Sequence, residues 1–417
     1  MRQCFALVLS VAVASTLPIV ATAQSGNIRI ESGEAATPNR ARKQDRETTA
    51  KPPAAVPARQ SRQRISAPLD QMIGQMIMVG FRGTGTKSAG VKAVGGQLRD
   101  GLIGGVMLLE HNITGRAQLR ALTRFLKRSA AGRPPPLIAV DQEGGRVQRL
   151  RNRNGFASTR SAKSVAANYS ADKARTVIYA KMAGQLAENG INLNFGPVVD
   201  LDITGTRNPI IGRIRRSYGR DPDVVLSYAQ SFIDAHRARQ VGTAAKHFPG
   251  HGSSLTDSHK GFTDISRNWS ESELIPYRQL ARNDGVAMVM VGHLYHPTFS
   301  DGPGQPATLS SKAIRDWLRR RLGFKGVVIT DDMEMGAIRK NFGFRDALVR
   351  AVAAGNDILL YANTVKSDPN LAVRIHAMIQ RAVANGTIPQ RRIEDAYRRI
   401  MAMKDVWLRA RTETLEN

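Results

Sequence analysis

From about Pro68 onward the chain alternates short apolar runs with amphipathic stretches, and no other feature restricts its fold as much. Eight apolar runs occur, at 76–80 with Phe81 adjoining, 103–109, 137–140, 193–199, 242–247, 286–291, 326–330 and 357–361. Helix-like segments separate most of them, among them 117–128, 172–188, 222–239, 271–283, 312–322 and 344–354. Eight β/α units in about 350 residues predict an α/β fold of the TIM-type (β/α)8 barrel kind, folded as one domain. The competing architecture is an open doubly wound sheet, which usually carries a glycine-rich phosphate loop in its first unit. Neither GxGxxG nor GxxxxGK[ST] occurs here. Hydrophobic residues at 42% and charged residues at 23% fit neither a wholly disordered chain nor a multi-pass membrane protein.

Two segments precede the barrel pattern. Residues 1–23 read as a secretory signal peptide: Arg2 gives a positive start, Phe5 begins a mostly apolar run broken by Pro18, and Ala21-Thr22-Ala23 supplies a small-x-small cleavage site. The run is short for a membrane span, which needs about 20 apolar residues. The expected destination is therefore outside the cytoplasm, periplasmic or secreted. Cys4, the only cysteine, lies in this segment, so the mature chain would contain neither thiol nor disulfide. Residues 24–66 lack aromatic side chains and carry nine basic and four acidic groups, which predicts a disordered basic linker. The formal charge of the whole chain is +27, so most of the excess belongs to 67–417. Such a surplus attracts polyanions; an electrostatic association with an anionic cell envelope is expected, and no nucleic-acid partner.

In a barrel, chemistry gathers at the carboxyl ends of the strands, so polar residues directly after apolar runs carry the most information. Five places qualify: 141–149 after the third run, Asp200 and Asp202 after the fourth, 246–252 in which the fifth ends, His293 and His296 after the sixth, and Asp331-Asp332 after the seventh. Period-two alternation puts Asp331 on the face of Val327 and Ile329 and Asp332 on the other, so one of the pair points into the barrel mouth. Either can instead cap the following helix. The stretch 246–259 holds three histidines in fourteen residues, and Pro249, Gly250 and Gly252 make it a loop. Asp257 and His259, two apart, emerge on the same side of an extended segment. A carboxylate beside an imidazole fixes its tautomer and supports proton transfer, which makes this pair an acid/base candidate.

Lys246-His247-Phe248-Pro249-Gly250-His251-Gly252 followed by Asp257-Ser258-His259 resembles the signature of the bacterial glycoside hydrolase family 3 β-N-acetylhexosaminidases, exo-enzymes that remove terminal N-acetylglucosamine from cell-wall fragments. The blocks Asp141 to Arg149, Asn194 to Val198, Arg216 to Gly219 and Thr330 to Met333 extend the resemblance in order over about residues 68–405. It implies a single barrel, no cofactor or metal, a carbohydrate partner and a retaining mechanism. Asp331 matches the nucleophile that forms a covalent glycosyl-enzyme, His259 the acid/base and Asp257 its partner. Asp141, Arg149, Arg216, Lys246 and His247 match positions that hold the sugar. A histidine in the acid/base role departs from the usual pair of carboxyl groups. The signal-like start is a second departure, because wall-recycling relatives in Gram-negative bacteria usually lack one.

Three other readings use the same residues. A β-glucosidase-like enzyme would share the fold. A metal-dependent barrel hydrolase would employ His247, His251, His259 and Asp257 as ligands. A non-catalytic envelope-binding protein would keep the barrel and its charge.

Overall fold

The computed structural model describes residues 67–282 and 285–408. The expected signal peptide at 1–23 and linker at 24–66 lie outside the described residues.

Eight strands form: β1 (Ile77–Gly80), β2 (Gly105–Leu108), β3 (Leu137–Val140), β4 (Leu193–Asn194), β5 (Gly242–Phe248), β6 (Met288–Val291), β7 (Val327–Thr330) and β8 (Leu359–Tyr361). Consecutive strands pair in parallel from β1 to β7, and β8 returns to pair with β1 through Ile77↔Leu359 and Val79↔Tyr361. A bridge between Ile329 and Ile358 joins the last seam, where the Thr330 N–H donates to the Ile358 carbonyl at 3.0 Å. The expected (β/α)8 barrel is therefore the observed fold.

Every strand residue is buried, which is why the strands read as unbroken apolar runs: a parallel barrel covers one face of each strand with helices and the other with the strands opposite. The fourth run is the exception in length. Only two of its residues pair in regular register; beyond them the chain continues beside β5 irregularly, the Lys246 N–H donating to the Pro197 carbonyl at 3.1 Å and the Val199 N–H to the Lys246 carbonyl at 2.9 Å. Helices alternate with the strands. That at Pro222–Arg237 starts where expected, with Pro222 in its first turn and the Asp221 carboxylate accepting from the N–H of Asp223 at 2.8 Å. The 172–188 segment is helical as expected but contains a π-turn over Ala174–Tyr179.

Two features set the position of the site. At the amino end of the barrel, the helix Gln390–Leu408 places the buried Lys404 so that it donates to the Gln75 side chain at 2.6 Å and to the Gly104 carbonyl at 3.0 Å. At the carboxyl end, the β5–β6 register shifts between Ala245 and Phe248, so the chain leaves the regular ladder at Lys246 and His247.

Candidate active site

A cavity of about 370 Å³ opens at the carboxyl rim, a size that suits a small ligand. Met107, Asp141, Phe195, Lys246, Met290, Asp331 and Leu360 reach it from seven different strands or strand ends. Arg149, Arg216, His247 and His259 also line it, so seven of the eight residues expected from the sequence meet in one place. The eighth, Asp257, stands behind His259. Its Oδ1 accepts from His259 Nδ1 at 2.8 Å and from the His259 N–H at 2.9 Å. This fixes the ring with Nδ1–H toward the carboxylate and leaves Nε2 for a ligand. The His259 side chain is 60% exposed and that of Asp257 19%, so the dyad sits on the open side of the cavity.

The opposite wall is a closed ionic network. Lys246 Nζ lies 2.7 Å from both Asp141 Oδ1 and Glu143 Oε1, and Arg149 donates to Asp141 Oδ2 at 3.0 Å. Arg216 makes a bidentate pair with Glu143, both contacts at 2.8 Å, and donates to His247 Nε2 at 3.3 Å. His247 Nδ1 in turn donates to Asp200 Oδ2 at 2.7 Å. Burial alone would raise the pKa of Asp141 and Glu143, but the cations around them outweigh it: Lys246 and Arg149 hold Asp141 below its ordinary value, and Arg216 and Lys246 do the same for Glu143. Buried charges need such partners, and here Asp141, Arg149, Arg216 and Lys246 line the cavity while Glu143 and Asp200 hold the network from outside its lining.

Asp331 follows β7. Its N–H donates to the Val291 carbonyl at 3.0 Å and its Oδ1 accepts from the Asp332 N–H at 2.8 Å. Burial again pushes upward, yet His247, His293 and His259 hold Asp331 below the ordinary carboxylate value, so it is ionised at neutral pH. Asp332 also lines the cavity but does not cap the following helix, whose N-cap is Met335: its Oδ1 accepts from the N–H groups of Glu334, in the turn after β7, and of Ala362, just past β8, and burial raises it to about 7. An ionised carboxylate and a carboxylate-backed imidazole on one cavity can divide nucleophile and proton-shuttle roles.

Three residues belong to this arrangement to which the sequence gave no site role. Glu143 sits two positions after Asp141 and therefore on the same face, which was the available signal. Asp200 and His293 follow apolar runs. His293 Nε2 bonds the Asp332 carbonyl at 2.9 Å, whereas His296 only caps a turn through Thr298. His251 bonds Ser254 and Ser258 through its two ring nitrogens, so it is committed to the loop. Those bonds, with His247 on Asp200, spread the histidines of the metal-ligand reading over separate partners. Among the described residues, no group of three or more His, Cys, Asp or Glu converges to hold a metal.

Ionised side chains gathered at the carboxyl rim of a (β/α)8 barrel are the mark of a barrel enzyme. The chain belongs to glycosyl hydrolase family 3, whose N-terminal domain matches residues 68–403. It is 30% identical over 365 residues to β-hexosaminidase A of Pseudoalteromonas piscicida, covering 80% of this chain and 60% of that protein. It is 35% identical over 269 residues to the β-hexosaminidase of Tolumonas auensis, covering 64% of this chain and 77% of the relative. Among solved structures, the family 3 β-N-acetylglucosaminidase of Paenibacillus sp. FPU-7 superposes with a TM-score of 0.74 at 32% identity, over 82% of this chain and 63% of that one. The β-N-acetylhexosaminidase of Beutenbergia cavernae gives 0.73 at 28% identity, over 81% and 98%. The chain thus spans less than two thirds of the Pseudoalteromonas and Paenibacillus proteins.

Proposed function

We propose that the chain is a retaining exo-β-N-acetylglucosaminidase that removes terminal non-reducing N-acetyl-β-D-glucosamine from peptidoglycan-derived or related glycans. The observation that carries this reading is the meeting of Asp331 and the His259–Asp257 dyad at one cavity whose far wall is a fixed network of charges. In the first step an Asp331 oxygen attacks the anomeric carbon while His259 gives its proton to the departing glycosidic oxygen. In the second, His259 takes a proton from water, which displaces Asp331 and restores the original configuration. Asp141, Arg149, Arg216, Lys246 and His247 hold the hydroxyls and acetamido group through charge-assisted hydrogen bonds. No cofactor is required by this scheme. The names of the relatives above support the acetamido sugar over glucose.

The test pairs a chromogenic N-acetyl-β-glucosaminide with the matched β-glucoside and follows the anomer released by NMR. The proposal expects strong preference for the former and a β-product first. Preference for the glucoside would favour the β-glucosidase reading, and no turnover of either would favour the envelope-binding one. His259→Ala is expected to slow hydrolysis of an unactivated disaccharide by about a hundredfold while affecting an activated aryl glycoside far less, since only the former needs a proton donor. Equal losses on both would remove His259 from the acid/base role.

Export and retention at an anionic envelope form part of the same proposal. Residues 82–139 contain ten basic and two acidic side chains. The two acids are already paired, Asp100 with Arg99 and Glu110 with Arg151 and Arg153. On the helix Arg116–Ser129, Arg116, Arg120, Arg124 and Arg128 are all exposed at i, i+4 spacing, an arrangement whose self-repulsion costs the isolated helix a few tenths of a kcal/mol per pair. Replacing Arg120, Arg124 and Arg128 by Glu should shift the protein from the wall and membrane fraction to the soluble one at low salt, with activity on a soluble substrate unchanged. A fractionation that responds neither to salt nor to these substitutions would exclude electrostatic retention.

A further inference from the structure

The loop that carries His259 has a buried base and an open tip. His251, Gly252, Ser253, Ser254 and Ser258 are buried, whereas Leu255 is 43% exposed and the His259 ring faces solvent and cavity. A loop with so exposed a tip keeps its acid/base in register only if its base is held from beneath. One anchor is Asp200, which belongs to the network already described: its Oδ1 accepts from the N–H of His247 at 3.0 Å and of His251 at 2.8 Å.

A second carboxyl group does the same work from outside the cavity. Glu273, in the short turn Glu271–Leu274 and 1% exposed, accepts the Gly252 N–H at 3.0 Å through Oε2. Its side chain fills the space beside Gly250, where a Cβ would meet it at 2.5 Å, and Gly250 has φ +123°, a conformation that suits glycine. Gly252 is confined from the other side, since a Cβ there would meet the Leu201 carbonyl oxygen at 1.6 Å. Its own carbonyl is held by Thr204 Oγ1 at 3.1 Å and Asn208 Nδ2 at 3.2 Å. From this clamped peptide the constraint passes through His251 to Ser258 at 3.0 Å, the neighbour of His259. Glu273 is absent from the lining of the cavity, so it has no route to the sugar except through the loop.

We infer that Glu273 is a positioning residue for the acid/base: by clamping the Gly252 peptide it holds the His259–Asp257 dyad over the leaving-group oxygen. The inference rests on the proposed role of His259. Burial, reinforced by the neighbouring Asp200 charge, pushes Glu273 up to about 8, so at neutral pH it acts as an uncharged acceptor beside an ionised one. Glutamine copies that uncharged shape; alanine removes the acceptor and leaves the Gly252 N–H without it.

The experiment compares kcat/KM of wild type, Glu273→Gln, Glu273→Ala and His259→Ala on two substrates. One is a β-linked N-acetylglucosamine disaccharide, which needs a proton on its leaving oxygen; the other is the 2,4-dinitrophenyl N-acetyl-β-glucosaminide, which does not. Glu273→Ala is expected to lose about thirtyfold on the disaccharide and no more than about threefold on the aryl glycoside, while Glu273→Gln stays within about threefold of wild type on both. Equal losses on the two substrates in Glu273→Ala would mean general damage to the fold and overturn the inference. If Glu273→Ala does not fold, Glu273→Asp, which is one methylene too short to reach Gly252, takes its place with the same selective loss expected and the same contrary result. The His259→Ala arm separates the two claims. Without leaving-group dependence there, the acid/base reading itself falls; with it there but not at Glu273, only the positioning role falls.

Discussion

Replacing Asp331 with alanine is expected to lower kcat on a chromogenic N-acetyl-β-glucosaminide by on the order of a thousandfold or more. The size follows from the role, because without a carboxylate at this point no covalent intermediate forms and the oxocarbenium-like charge that develops at the anomeric carbon has no counter-charge. The fold should survive. Asp331 is only partly buried, makes no ion pair with Arg or Lys among the described residues, and is held by backbone contacts to Val291 and Asp332 of which only one uses its side chain. Circular dichroism and the melting curve should therefore match wild type while turnover vanishes. Azide, small enough to occupy the vacated space, should restore part of the rate and yield the α-glycosyl azide, since it attacks from the face Asp331 used. The histidines that hold Asp331 below its ordinary pKa also set the acid limit: its protonation should not restrict activity until pH falls below the usual carboxylate range. An Asp331→Ala enzyme within tenfold of wild type would end the nucleophile assignment.

Asp331 was readable because a parallel barrel strand announces where it stops. Val327 to Thr330 is buried on both faces and its one polar side chain, Thr330, accepts the Leu360 N–H, so the strand carries no charge and the first charge after it must lie at the rim. The same logic located Asp141, directly after β3, whereas Lys246 lies within β5; Asp331 and Asp332 both line the cavity, and Asp332 alone accepts from the Glu334 and Ala362 N–H groups. The Asp257–His259 pair was legible because it is local, two residues apart within one loop.

What stayed illegible depends on chain crossings. The Arg216–Glu143 pair spans 73 residues and the Lys246–Asp141 pair 105, and nothing in either local sequence states which carboxylate a given cation will meet. Glu273 was hidden for another reason. It lies in what reads as the start of a helix, where an acidic residue is ordinary, and only the packing reveals that it is buried against Gly250. The short fourth strand shows the limit from the opposite side: apolar character continues through Val199, but regular pairing stops at Asn194 and the rest of the run meets β5 only through irregular bonds at Gly196, Pro197 and Val199.

A charge that the apolar pattern concealed carries the second large effect. Asp357 begins the eighth run and is fully buried at the amino side of β8, away from the catalytic rim. Its carboxylate meets three guanidinium groups, Arg319 at 2.6 Å, Arg392 at 3.1 Å and Arg399 at 3.0 Å, and accepts the Val328 N–H at 3.0 Å. This is the β7–β8 seam, where the barrel closes through few ladder bonds, so one side chain joins the two strands and the helices outside them. Burial pushes Arg319 down to about 10, with Asp357 opposing the shift and Arg399 and Arg392 adding to it, so the cluster already holds more positive charge than its single carboxylate balances. Asp357→Ala removes the one anion that the three arginines share among the described residues and also strips Val328 of its acceptor. Breaking a buried pair from one side typically costs 3–5 kcal/mol, and we expect a loss of about that size in urea denaturation. Asp357→Asn keeps an acceptor for Val328 but not the charge, and should fall between alanine and wild type. Added salt should recover little of the loss, because Arg319 and Arg392 are only 14% and 13% exposed. Under conditions where the variants remain folded, kcat should be unchanged, which distinguishes a lesion in barrel closure from one in the catalytic rim. A loss below about 1 kcal/mol for alanine, the range of a solvated surface pair, would mean that the three arginines find water or other partners and that the seam is held by its backbone alone.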